Sequence, residues 1–449
     1  MCREWRDICY SMTDWKHQYS LLWNVPTEER IALVGQRFSR TSVKYSNAYS
    51  REFWRLCWDS KYQQMMGLYH RPQKCTLYGH KLGVKVLHMV PSSNKILTGS
   101  VDRRLICWDG SHFSFTGISQ PFAGTVRAIA LDDSILVTGS SDHRIRIWQN
   151  TNDIDQPGVR TRRRRSCVVR DDWDSFNYDV LDEDFADSGN VSCFPFDVSG
   201  DRTVLSGHSG PVSCLSLAGN TLISGSWDYS IRVWNTADVD SIECVQLLPC
   251  HDWVVDMKRS GDRLFVASGT QIHDVRMTES SLVKVDSMKH PAANDYPCTC
   301  VANATNIVYY AADGHVYGQD LRCKTRASGH VMRPINCSDI VKRDGVTITG
   351  MAYEYPWLAC SSSSGEVILL NTEDCNTRPH SRVLSSGGKS MIAHCVDMCE
   401  SRVAAGYEDG TVTCWDFSKS QKVASELASL RRRKKAQREE RRWRHQNES

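Results

Sequence analysis

No stretch of this 449-residue chain approaches the ~20 consecutive apolar residues that a membrane-spanning helix needs, and its first residues do not form a secretory signal. Net charge is scarce too. A formal balance of +3 gives no global field that would draw the protein to nucleic acid or to a membrane, so any electrostatic partner must be met by local charge runs. Zinc-finger spacing is missing: the 19 cysteines are scattered without a repeated C-x-x-C pair. Two local clusters, Cys298 with Cys300 and His394 with Cys395 and Cys399, never gather four ligands. No metal is expected, and the thiols are expected to be reduced, as in a cytosolic or nuclear protein. Catalytic signatures are absent as well. No G-x-S-x-G elbow occurs, and "SGGKS" at 386–390 has Val383 where a phosphate-binding loop needs its first glycine. A soluble, globular non-enzyme without a cofactor is therefore expected, and at 41% hydrophobic it can bury a sizeable core.

What the chain does have is a repeat. Asp and Trp stand six residues apart at Asp102 and Trp108, Asp142 and Trp148, Asp228 and Trp234, and Asp409 and Trp415. Gly-His occurs upstream of several, at Gly79 and His80, Gly207 and His208, and Gly329 and His330, with a bare His251 in "HDWV". Between these marks apolar and polar residues alternate, and Gly, Ser and Asp cut the segments short, which is the pattern of antiparallel strands. With a surplus of about 45 residues between Trp148 and Gly207 set aside, seven units of roughly 42 residues fit between Gly79 and Asp416. His273, Gln319 and Leu370 hold the Trp position in units four to six. The segment from Gln73 to Leu77 is expected to close the ring as the outer strand of the last unit, which removes exposed sheet edges.

These residues resemble the WD-repeat β-propeller family. The resemblance implies an all-β fold, a seven-bladed propeller over residues 73–417. It also implies a hydrogen-bonded tetrad of His, second-strand Ser or Thr, turn Asp and Trp in each well-kept blade. The matching positions are His80, Thr98, Asp102 and Trp108 in blade 1, and His208, Ser224, Asp228 and Trp234 in blade 3. Asp142 with Trp148 and Asp409 with Trp415 would be the tetrad residues of blades 2 and 7. A buried Asp beside a buried indole is tolerable only when every lone pair and N–H is satisfied, so these roles are structural.

The flanking segments differ in kind. "REFWRLCWDSKYQQMMGLYHR" spaces Phe53, Trp54, Cys57, Trp58, Tyr62 and Met66 at helical intervals, a helix with one buried face in a linker over 24–72. "MCREWRDICYS" followed by "SLLWNVP" is similar to the last helix of an F-box, the module that docks on the Skp-type adaptor of a cullin-RING ubiquitin ligase. Residues 1–23 would then be the C-terminal part of an F-box lacking its leading helices, with Trp5, Leu22 and Trp23 facing the adaptor. F-box, helical linker and WD propeller in that order are the layout of F-box/WD-repeat substrate receptors. "TLYGH", "SGSWDYSIRVW", "HDWV", "EYPWL" and the basic coda are similar to those of plant members. An insertion at 151–202 opens with "RTRRRRS" and turns acidic at "DDWDSFNYDVLDEDFADSG". It is expected to be a largely disordered surface loop, whose halves either pair with each other or serve docking or localisation. The tail over 418–449, with 11 Lys or Arg against four Glu, is expected to be a basic helix. Its run at 431–435 suits a nuclear-localisation signal, a nucleic-acid contact or plain solubility.

The resemblance to F-box/WD receptors also implies that target contacts come from the face around the central channel. Carried over position by position, the matching residues are Lys85, Arg127, Ser213, Val255 and His394 at the starts of inner strands, with Trp253 just before one of them. Arg103, His143, Trp227, Tyr229 and Tyr407 flank the turns. Aromatic and Arg anchors dominate such interfaces, and Lys85, Arg103 and Arg127 on the first two blades favour an acidic or phosphorylated peptide. The expected function is substrate recognition in an SCF-type ubiquitin ligase, with a Skp-type adaptor, a cullin and a target protein as partners. The alternative is a ligase-independent WD-repeat scaffold in nuclear RNA or chromatin assembly, with nucleic acid reached only through the basic tail. A nuclear or cytoplasmic location, or both, is expected.

Overall fold

Short alternating segments separated by Gly, Ser and Asp turns fold as meandering hairpins, and among the described residues there are seven such meanders. The computed structural model describes residues 72–90, 94–132, 135–149, 203–238, 241–277, 297–303, 307–321, 334–372, 381–385, 391–399 and 401–417, and the backbone path of the strand Leu282–Lys289. The expected terminal helices and adaptor-facing residues Trp5, Leu22 and Trp23, the insertion at 151–202, the basic tail and the Gly329–His330 pair lie outside these residues.

The described residues form seven four-stranded antiparallel sheets, a seven-bladed β-propeller that is nearly all β. Blade 1 runs from inner to outer strand as Val84–Val90, Lys95–Ser100, Leu105–Asp109 and Ser114–Ile118. The inner strands of blades 2 to 7 begin at Val126, Val212, Val254, Cys300, Ile348 and Ala393. Each inner strand touches the inner strands of both neighbours, so the ring is closed. In blade 7 the fourth strand is Gln73–Leu77, paired antiparallel with Val412–Asp416 so that Gln73 faces Asp416 and Leu77 faces Val412. One short helix, Cys337–Val341, follows blade 5; Asn336 caps it by accepting from Ser338 N at 3.0 Å.

The core lies between blades. Val84, Ile96, Ile106 and Trp108 of blade 1 pack with Leu77, Ala404, Val412 and Cys414 of blade 7 across their seam, and comparable clusters fill other seams. Close seams explain the recurring T-G-S and S-G-S of the second strands. A Cβ at Gly99 would stand 2.6 Å from Val126, at Gly139 2.6 Å from Val212, at Gly225 2.5 Å from Val254 and at Gly406 2.6 Å from Val84. Only glycine lets the first inner-strand valine of the next blade seat against that backbone, and the last of these contacts closes the circle.

Register also corrects one sequence assignment. Gln319 and Leu370 stand opposite Val308 and Leu358, as Trp108 stands opposite Ile96, but in blade 4 the matching position opposite Leu264 is Val275, not His273. The turn of blade 4 is the two-residue Gly269–Thr270, so Gly269 stands six residues before Val275 and no turn Asp marks the count.

Candidate functional site

Two side-chain networks fix the turns of blades 1 and 3. In blade 1, His80 Nδ1 lies 2.8 Å from Asp102 Oδ2 and His80 Nε2 lies 2.9 Å from Thr98 Oγ1, while Trp108 Nε1 donates to the same hydroxyl at 3.0 Å. Asp102 also accepts from the backbone N–H groups of Lys81 and Arg104, both at 3.0 Å. Burial pushes the Asp102 carboxyl up, but His80 and these amides outweigh it and hold the group below the usual carboxylate value. Blade 3 repeats the arrangement, with His208 Nδ1 2.7 Å from Asp228, His208 Nε2 2.8 Å from Ser224 Oγ, and Trp234 Nε1 donating to Ser224 at 2.9 Å. Burial lowers the His208 pKa despite Asp228, so the ring is uncharged. Its Nδ1–H donates to the carboxylate and its Nε2 accepts from Ser224.

Blades 2 and 7 depart from the expectation. Phe122 stands four residues before Val126, where His80 precedes Val84, and its ring packs on Trp148 with centroids 5.5 Å apart. Without a histidine, Asp142 turns to Arg146 at 2.6 Å, and the buried Trp148 Nε1 has no hydrogen-bond partner. In blade 7, Ala405 takes the place of Thr98 and Ser224, so no hydroxyl links a Trp to an Asp. Asp409 is exposed and only caps its own turn, accepting from Thr411 N and Oγ1 at 2.9 and 2.7 Å. Trp415 is buried between blades 6 and 7.

With their turns fixed, the blades present one residue each at the channel mouth, just after the first residue of the inner strand or its counterpart. These are Lys85, Arg127, Ser213, Val255, Thr299, Thr349 and His394. The hydroxyls stitch neighbouring blades: Ser213 Oγ donates to Val254 O at 2.5 Å, Thr299 Oγ1 to Ile348 O at 2.7 Å, and Thr349 Oγ1 to Ala393 O. Ser213 is thereby committed to the ring rather than to a ligand. Blades 7, 1 and 2 carry nitrogen bases instead, and Lys85 Nζ donates to His394 Nε2 at 2.9 Å. Burial, then the nearby Arg127 charge, lowers the Lys85 pKa against the opposing pull of Glu408. Burial, then Lys85, lowers that of His394. The crowded positive charge of Lys85 and Arg127 makes this arc electrostatically matched to an anion.

Arg127 carries the arc into an aromatic stack. Its guanidinium lies 4.4 Å over Trp227, and Trp227 stacks on Trp253 with centroids 5.6 Å apart and planes 23° apart. Arg127 Nε is buried without a hydrogen-bond partner. Trp253 is 51% exposed and Tyr229 48%, so the stack ends in open apolar surface. Arg103, His143 and Tyr229 are exposed at left-handed turn positions with φ of 67°, 68° and 63°, each following the turn Asp. Tyr407 does not join them. It is 2% exposed, at the second-strand end opposite Ala393, packed in the core of blades 6 and 7.

Thr299 and Thr349 were missed in the sequence because blades 5 and 6 lack the Trp and have no Gly-His four residues before the inner strand to set the count. Two further groups were also missed: Lys258, and His88, which lies 3.5 Å from Asp397. Among the described residues no group of three His, Cys, Asp or Glu is gathered to hold a metal ion, and no helix is long and apolar enough to cross a membrane.

The WD domain, G-beta repeat family matches residues 71–109, 118–149 and 188–235, which include the ring-closing strand Gln73–Leu77, the first three strands of blades 1, 2 and 3, and the tetrads of blades 1 and 3. These three segments are WD40 repeats. An F-box/WD-40 repeat-containing protein of Arabidopsis thaliana is 24% identical over 373 residues, covering 79% of this chain and 61% of that protein. The WD repeat-containing protein pop2 of Schizosaccharomyces pombe is 25% identical over 191 residues, 39% of this chain and 23% of its own length. The chain thus spans less than two thirds of either relative. Among solved structures, the WD40 β-propeller domain of Doa1 overlays with a TM-score of 0.54 at 17% identity, covering 78% of this chain and 98% of that one. The RRP9 WD40 repeats give 0.55 at 16% identity, covering 77% and 99%. Both likenesses concern the fold.

Proposed function

We propose that this WD-repeat propeller is the substrate-recognition subunit of an SCF-type ubiquitin ligase, gripping a target peptide on its channel face and leaving the chemistry to other subunits. The observation that carries the proposal is the Arg127–Trp227–Trp253 stack beside Lys85 and His394, because an Arg and two tryptophans drawn from three blades form the kind of anchor that dominates protein interfaces. The positive arc suits an acidic or phosphorylated residue of the target. An F-box/WD-40 repeat protein among the relatives, and the F-box-like segment at 1–23, support a ligase partner. The basic run at 431–435 supports a nuclear location.

Affinity capture of the tagged full chain tests this. Recovery of a Skp-type adaptor and a cullin, with a target lost when Arg127→Ala and Trp227→Ala are combined in a still-folded chain, is the expected result. Absence of adaptor and cullin together with RNA retention that falls steeply with salt would replace the proposal by a nuclear RNA scaffold.

A further inference from the structure

The strand that closes the ring carries a cysteine. Cys75 faces Cys414 directly across the antiparallel pair of Gln73–Leu77 and Val412–Asp416. Among the described strand pairs no other two cysteines oppose each other. Directly opposed residues point to one side of the sheet with Cα atoms ~4.5 or ~5.5 Å apart, both inside the ~4.4–6.8 Å that a disulfide spans. Both thiols belong to the apolar cluster between blades 7 and 1, Cys414 buried and Cys75 half-buried.

We propose that Cys75 and Cys414 form a reversible disulfide that locks the propeller ring, with glutathione disulfide as the oxidant. The Cys75 thiol loses its proton to solvent and the thiolate attacks one glutathione sulfur. A mixed disulfide forms and one glutathione thiolate leaves. Cys414, deprotonated in turn, attacks the Cys75 sulfur, forms the protein disulfide and expels the second glutathione thiolate. The two leaving groups take up the two protons, so two protein thiols are oxidised as one glutathione disulfide is reduced to two glutathione molecules.

Burial raises the Cys414 thiol pKa well above its ordinary value, so the second step proceeds from a locally opened seam. The closing strand is suited to such opening: it has five residues, lies at the outer edge of its sheet, and its first two residues are exposed. Oxidation then captures the strand when it re-docks, and the hydrogen-bonded closure becomes covalent.

The full chain, equilibrated in buffers of stepped glutathione disulfide to glutathione ratio and quenched with N-ethylmaleimide, is digested and mapped by mass spectrometry. Amide exchange of residues 73–77 is followed on the same samples. A Cys75–Cys414 linked peptide that grows with the ratio and vanishes on reduction is expected, with exchange of the strand slowed roughly tenfold or more. Cys75→Ser and Cys75→Ala, checked for folding by circular dichroism in reducing buffer, lose both signals. Separate alkylation of the two thiols across the series, a linked peptide seen only after urea unfolding, or a link without slowed exchange would each overturn the proposal. The wild-type peptide map decides the matter even if the variants fail to fold.

Discussion

Ser224 Oγ accepts from the Trp234 indole N–H and donates to His208 Nε2, so one buried hydroxyl serves two buried partners. Ser224→Ala leaves both unsatisfied and is expected to cost about 2–3 kcal/mol, read as a lower urea midpoint. Asp409→Ala removes only an exposed turn cap and is expected to cost under about 1 kcal/mol by the same measurement. Acidification acts on the same networks. His208 is lowered from 6.5 by burial, and Asp102 and Asp228 are lowered from 3.8 by their hydrogen bonds against the opposing effect of burial. In all three the unfolded chain binds the proton more readily, so their stability is present above those ordinary values and is lost as pH falls through them. Thermal unfolding between pH 7.5 and 3 should show a midpoint that drops first below about 6.5 and again below about 3.8; a midpoint that rises on the way from pH 7 to 5 would contradict this. The tetrads of blades 1 and 3 were legible because Thr or Ser, Asp and Trp stand at the same offsets in both, with a Gly-His upstream. Those of blades 2 and 7 were misread because the Asp–Trp spacing survives where Phe122 and Ala405 have removed the residues that join Asp to Trp.

Turns are where the elements differ. After the turn Asp, blades 1, 2 and 3 place Arg103, His143 and Tyr229 in left-handed backbone, whereas blade 7 places Gly410 there with φ 85°. A Cβ on Gly410 would lie 2.4 Å from the His80 carbonyl oxygen, so this turn touches the loop that begins blade 1. Gly410→Ala is expected to destabilise by about 1–3 kcal/mol in chemical denaturation, while Tyr229→Gly changes stability by less than about 1 kcal/mol. Equal effects at the two positions would show that the seam, not the backbone angle, is unimportant. The alternation of apolar and polar residues made the strands legible, but blade 4 has no turn Asp from which to count, and the Trp-equivalent position was misplaced by two residues.

At the scale of the whole molecule, closure depends on a strand far from its partner in sequence. A chain lacking residues 1–77 would expose the edge of Val412–Asp416, and unpaired edges recruit other edges. Concentration-dependent association in size-exclusion chromatography is expected of it; a monomer at all concentrations would count against the closing role. Strand periodicity, seven units and two complete tetrads were set by the sequence itself, since each depends on residues within one repeat and on local backbone preference. Tertiary structure alone decided that Tyr407 is core, that Ser213 is a stitch between blades, and that Arg127, Trp227 and Trp253 form one stack. Those outcomes turn on side chains of different blades meeting across seams, and a repeat pattern carries no record of which neighbour a side chain will find.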